Sequence, residues 1–106
     1  MPQYVVIATH APDQCPGANK VTGPIFRKLF AEAPAIAEKR GIKLVIAPMH
    51  MDPAHKIMVV LEAPNQDAIL DALGENRLGQ IQDVEIYRLT PLADLFARGG
   101  NRDPLY

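Results

Sequence analysis

Apolar positions along this chain fall into two kinds of stretch, short β-branched runs and longer segments with helical spacing. Residues 4–9, Tyr-Val-Val-Ile-Ala-Thr, are short, apolar and bounded by turn formers, which predicts a buried strand. Residues 10–23 read as a loop, because Pro12, Asp13, Pro16, Gly17, Asn19 and Gly23 all break or turn the backbone. Between residues 24 and 40 the period changes, and Ile25, Phe26, Leu29, Phe30, Ala33, Ile36 and Ala37 form one helical stripe. Pro24 suits a first helical turn and Gly41 a C-terminal stop, while Pro34 is expected to kink or split the helix near Ala33. Residues 43–47 and 56–61 are the next strands, and the link through Asp52-Pro53 is so short that they must be antiparallel neighbours. Asn65 is a helix N-cap for residues 66–73, with Gly74 as the stop. Residues 83–89 alternate polar and apolar, as a half-exposed strand does. Thr90-Pro91 opens a last helix, residues 92–97, which Gly99-Gly100 ends.

The order β-α-β-β-α-β plus a short C-terminal helix predicts an α+β domain of the ferredoxin-like kind over residues 1–100, with residues 101–106 as a tail. Right-handed crossovers place strand one between strands three and four of an antiparallel four-stranded sheet, with strand three between one and two. Strands one and three are apolar on both faces: Tyr4, Val6 and Ala8 against Val5 and Ile7, and Ile57, Val59 and Leu61 against Met58 and Val60. Two helices cover one face only. The other predicts a homodimer packed sheet to sheet.

From Tyr4 to about Arg98 this pattern resembles the dimeric α/β-barrel superfamily, which includes muconolactone isomerase-like and antibiotic-biosynthesis-monooxygenase-like proteins. The resemblance is one of architecture. It implies a homodimer with a pocket between each sheet and its helices or in the barrel interior, and small organic molecules, heme or metals as ligands. RNA-recognition domains share the topology but carry aromatics on strands one and three, where this chain has Val, Ile and Met beside Tyr4. Heavy-metal chaperone domains resemble it too, but their Cys-x-x-Cys pair is replaced here by His10-Ala-Pro-Asp-Gln-Cys15.

Composition narrows the classes. The chain has 106 residues, a net charge of −1 and eleven Lys and Arg scattered along it, so there is no electrostatic footprint for nucleic acid or an anionic membrane. One cysteine rules out an internal disulfide. Met1-Pro2-Gln3 leads straight into a strand, and no run approaches the roughly 18 apolar residues of a spanning helix. A cytoplasmic location is expected.

The candidate chemistry gathers at one sheet edge. All three histidines and the cysteine lie at strand ends or in the first loop: His10 after strand one, Cys15 five residues later, His50 at the end of strand two, and His55 at the start of strand three. By alternation Tyr4, Val6, Ala8 and His10 share a face, as do Leu44, Ile46, Pro48 and His50, with the register between the two sets open. Three readings follow. His10, Cys15, His50 and His55 bind a transition metal, zinc or copper, with Met49 or Met51 favouring copper(I). Alternatively His10 and His55 act as acid and base, with Cys15, in a small-molecule enzyme of the isomerase or monooxygenase type; heme with a histidine axial ligand ranks lower. In the third, Cys15 is a reactive thiol that handles sulfur, with a histidine as its base. Against all three stands a bland account, in which strand-end histidines satisfy loop backbone groups and methionines fill the core. Asn19 and Lys20 are placed at the mouth of the site.

Overall fold

The computed structural model describes residues 1–77 and 82–99. The expected tail, residues 101–106, and the Gly100 stop lie outside the described residues. β1 (Gln3–Thr9) pairs antiparallel with β3 (Lys56–Glu62) on one side and β4 (Asp83–Leu89) on the other, and β2 (Lys43–Met51) pairs with β3. The strand order is therefore β2-β3-β1-β4, with β1 and β3 inside, where their two-sided apolar runs belong. α1 (Thr22–Lys39) and α2 (Gln66–Asn76) lie on one face, and α3 (Leu92–Gly99) follows β4. No helix among the described residues is long and apolar enough to cross a membrane.

The covered face carries the core. Tyr4 and Val6 from β1, Leu61 from β3, Ile42, Ala63 and Ile69 pack together, with Ala37, Ala72 and Leu73 against them. The register explains the selection: Tyr4 stands opposite Leu61, and Val6 opposite Val59 and Ile86, so these side chains share a face. On the other face Ile46, Met49, Tyr87 and Leu89 are 40%, 56%, 50% and 39% exposed. In α3, Leu92, Leu95 and Phe96 are spaced along one helical stripe and all are exposed.

Two prolines sit inside regular elements, one of them Pro34, which was expected to kink or split its helix. β2 continues through Pro48 to Met51 instead of stopping at Ala47. It is an edge strand, so a missing N–H costs it little. Nine residues of β2 lie against seven of β3, and two register shifts absorb the extra pair, one between Leu44 and Ile46 and one between Ile46 and Met49. The first shift sets Ile46 opposite Val60 on the open face, so the expected alternation fails there. The second sets His50 opposite Ile57 and returns it to the helix side. α1 likewise runs unbroken through Pro34.

α2 passes Gly74 and ends at Asn76, with Arg77 in the left-handed region at φ 68° and its N–H on the Leu73 carbonyl at 2.9 Å. Its N-cap is as expected: Asn65 Oδ1 accepts from the Ala68 N–H at 2.9 Å. α3 extends two residues beyond the expected 97. At the other end of α1, Glu75 on α2 accepts from Lys39 and Arg40, both at 2.7 Å, and these hydrogen bonds hold its carboxyl below the usual range.

Candidate metal centre

Each of the four candidate residues reaches the same point by a different local route. His10 continues the β1 alternation past Ala8 onto the helix side, and its backbone N–H donates to the His55 carbonyl at 3.1 Å. That bond fastens the end of β1 to the start of β3. The His10 ring is buried, at 3% exposure, with the edge of Phe26 against it at 5.9 Å. Burial pushes its pKa below the ordinary value, and the charges His50 and His55 would carry push it the same way. The ring is therefore held as a free base, the form a metal takes.

Cys15 is delivered by a loop that folds on itself. Pro12–Gln14 makes one tight helical turn, the Cys15 N–H returns to the Pro12 carbonyl at 3.3 Å, and the Cys15 carbonyl accepts from Ala18 and Asn19 at 3.0 and 2.8 Å. Asn19 completes the fold. Its Nδ2 donates to the Asp13 carbonyl at 2.8 Å, while its Oδ1 accepts from the Val21 and Thr22 N–H groups at 2.8 and 3.0 Å. Asn19 thus ties the loop to the first turn of α1 instead of lining the site's mouth, and Lys20 is not among the cleft residues either. Gly23 lets the two pieces close, because a Cβ there would stand 2.9 Å from the Pro16 carbonyl oxygen.

His50 and His55 flank the hairpin between β2 and β3. His50, the most exposed of the four, places Nδ1 2.6 Å from Asp52 Oδ1. That contact fixes Nδ1 as the protonated nitrogen and leaves Nε2 free to face inward. His55 has φ 53°, a left-handed conformation that histidine adopts more readily than most residues. Its ring centroid lies 5.6 Å from that of His10 and 6.1 Å from that of His50.

The distances have the scale of a coordination shell. His10 Nε2 is 3.5 Å from His50 Nε2, which is 4.0 Å from Cys15 Sγ, and one ligand atom from each of the four residues lies within 4.8 Å of the others. Bonds of about 2.0–2.1 Å to nitrogen and 2.3 Å to sulfur give tetrahedral edges of roughly 3.3–3.7 Å. The His10–His50 separation falls within this range, the His50–Cys15 separation exceeds it by about 0.3 Å, and the widest must shrink by roughly 1–1.5 Å. Nδ1 of His10 and Nδ1 of His55 are buried with no hydrogen-bond partner among the described residues, but His10 meets the cluster through Nε2, so a metal there would leave its Nδ1 unsatisfied. Three imidazoles and a thiol form a poor network with each other, since every one needs a proton or a metal between it and its neighbour.

The sequence brought out all four residues and the structure brings all four together. Asp52 was missed as a functional residue. Its signal was a carboxylate two positions after His50 in a tight turn, close enough to bend back onto the ring. The methionines are not on the cluster. Met49 borders the adjoining cleft, but its pairing with Met58 puts it on the face opposite His50, and Met51 pairs with Lys56 at the hairpin end. The cleft, about 610 Å³, opens beside the cluster between Cys15, Phe26, Arg27, Pro48, His50 and Asp52.

No family model matches the chain, and no curated protein matches it. Fold and site together define a small α+β protein that, among the described residues, has a four-stranded antiparallel sheet, three α-helices and a His/Cys group able to hold a metal ion.

Proposed function

We propose that the chain is a metal-binding protein in which His10, Cys15, His50 and His55 hold one transition-metal ion, zinc before copper. The convergence of three imidazoles and one sulfur within 4.8 Å carries this reading. Four protein donors complete a tetrahedral shell, so the ion would serve to fasten the first loop to the hairpin or to be carried, with no position left for a reacting water. Zinc suits nitrogen and thiolate in that geometry, whereas the soft thioethers that would select copper(I) lie off the cluster. Heme fits less well, because four donors crowded at one point leave no flat open face beside a single axial histidine. Asp52 orients His50 as a carboxylate behind a metal-bound imidazole does. A reducing compartment such as the cytoplasm keeps the Cys15 thiol available.

A second reading rests on the cleft. The His50–Asp52 pair borders it and has the form of a general base with its orienting carboxylate, which suits a small-molecule enzyme of the isomerase or monooxygenase type.

The strand order supports a ferredoxin-like fold, and the open apolar face supports a homodimer of the dimeric α/β-barrel kind in which a second copy covers that face. Sedimentation of the full chain should then give about twice the protomer's 11.6 kDa, and a monomer at micromolar concentration counts against this part.

Elemental analysis of the untagged protein tests the site directly. The metal reading expects one zinc per chain, lost in Cys15→Ser and His50→Ala. A protein that carries neither zinc nor copper, and refuses both on titration, refutes it and leaves the cleft as the site to pursue.

A further inference from the structure

A second cavity lies between the sheet and the two main helices, apart from the four metal-site residues. Its volume is about 470 Å³. That is roughly three times the 150 Å³ void that admits benzene, so it has room for an organic molecule of about fifteen heavy atoms. Interiors are close-packed, and a void of this size forfeits the contacts of every side chain around it. Ligand pockets are the common exception.

The walls specify what fits. Val6, Leu44 and Leu61 from the sheet and Phe30, Ala37 and Leu73 from the helices are typical of them, and among the described residues Asn76 is the single polar side chain on the wall. Asn76 is 4% exposed. Its Nδ2 donates to the Leu29 carbonyl on α1 at 2.9 Å, which fixes the amide's orientation, and its Oδ1 is buried with no partner among the described residues. A buried acceptor left unsatisfied is costly, and a hydrogen-bond donor is what it lacks. The wall offers no cation, so an anionic head group would lose its hydration and gain nothing. A carboxylate can only accept, and two acceptors repel.

We propose that this cavity is a binding site for an uncharged, largely apolar molecule with one hydroxyl, whose O–H donates to Asn76 Oδ1. The class is that of medium-chain alcohols and phenols, and it excludes fatty-acid anions. The site is independent of the metal reading, since none of the four candidate ligands lines it.

Calorimetric titration of the full chain with 1-octanol and with octanoate at pH 7.5 tests this. Octanol should bind once per chain, about tenfold or more tighter than octanoate, which also suffers the cost of burying its charge. Leu44→Trp fills the mouth from the exposed edge strand and should abolish octanol binding while leaving the thermal transition near that of the native chain. Asn76→Leu should erase the preference for a hydroxyl, measured against octyl methyl ether. If Asn76→Leu does not fold, the same preference measured on the native chain decides the role of the donor. Equal or tighter binding of octanoate overturns the proposal, as does no binding of either probe. Octanol binding that survives Leu44→Trp also overturns it, placing the molecule on the open sheet face.

Discussion

The two faces of this sheet are built from similar residues and behave differently. Toward the helices, Tyr4, Val6 and Leu61 are buried, and the same alternation carried to the strand ends brings in His10 and, after two register shifts, His50. Away from the helices, Ile46, Met49, Tyr87 and Leu89 stay accessible. Apolar composition therefore does not mark the core of this protein. The side of the pleat matters more, although Val60 on the open side is 7% exposed and Leu44 on the helix side 53%, and the His/Cys cluster takes its enclosure from the helix side.

The largest effect should come from cutting into the covered face. Leu61→Ala should cost about 3 kcal/mol of unfolding free energy, because it removes buried methyls beside an existing void that the site can only enlarge. Ile46→Ala, on the open face, should cost less than about 1 kcal/mol in the monomer. Urea titrations at several protein concentrations separate the two. The Leu61 cost should be independent of concentration, whereas any Ile46 cost should grow with it if a second copy covers the open face. Equal, concentration-independent costs would erase the distinction between the faces.

Next in size is loss of one metal ligand. Structural zinc sites are worth about 10–16 kcal/mol from four ligands, so removing one should weaken binding by on the order of 100-fold. Competition against a chromophoric chelator should show this for His10→Ala and for His55→Ala. Tyr87→Ala, on the open face, should leave the affinity unchanged. If either histidine variant binds as the native chain does, that residue is outside the shell.

Much of this arrangement was legible in the sequence, for reasons that differ by element. β4 was read to the residue, Asp83 to Leu89, because strict alternation is a strong signal. The four site residues were legible because topology alone sends the ends of β1 and β2 and the start of β3 to one edge. What could not be read depends on contacts between distant segments. The strand read over residues 43–47 runs on to Met51, because Pro48 is tolerated in an edge strand, and the two bulges that decide where Ile46 and His50 point arise from pairing with β3. Gly74 looked like a helix stop, but α2 runs on to Asn76, whose side chain is tied to α1 at Leu29. Asp52 was visible only as half of an Asp-Pro turn.

A smaller effect belongs to Asp52, which touches one ligand from outside the shell. Asp52→Asn keeps the side chain's shape and removes the charge behind His50. Carboxylates in this position are worth about 10–100-fold in metal affinity. Asp52 itself is largely exposed, with its side chain at 84%, so water screens the pair and the low end of that range applies. The same competition assay should show about a tenfold loss. An Asp52→Asn protein with unchanged affinity would mean that the 2.6 Å contact to His50 is a surface ion pair with no bearing on the cluster.

The smallest effect is one of pH, and it again separates the faces, since the open face carries no histidine. In the folded chain, desolvation lowers the pKa of His10, with His50 and His55 adding to the shift, whereas in the unfolded chain it titrates near 6.5. Between those two values the unfolded state binds more protons, so stability must rise with pH across that window and fall as pH drops below about 6.5. Glu75 shifts the same way, but as a carboxylate it acts at lower pH. The metal-free protein, prepared with a chelator, should therefore keep a constant urea midpoint from pH 8 to 7 and lose stability from about 6.5 to 5.5. His10→Gln should flatten that decline, and bound metal should hide it until protons displace the ion. A decline of the same slope in His10→Gln would assign the titration to another group and leave His10 without a role in it.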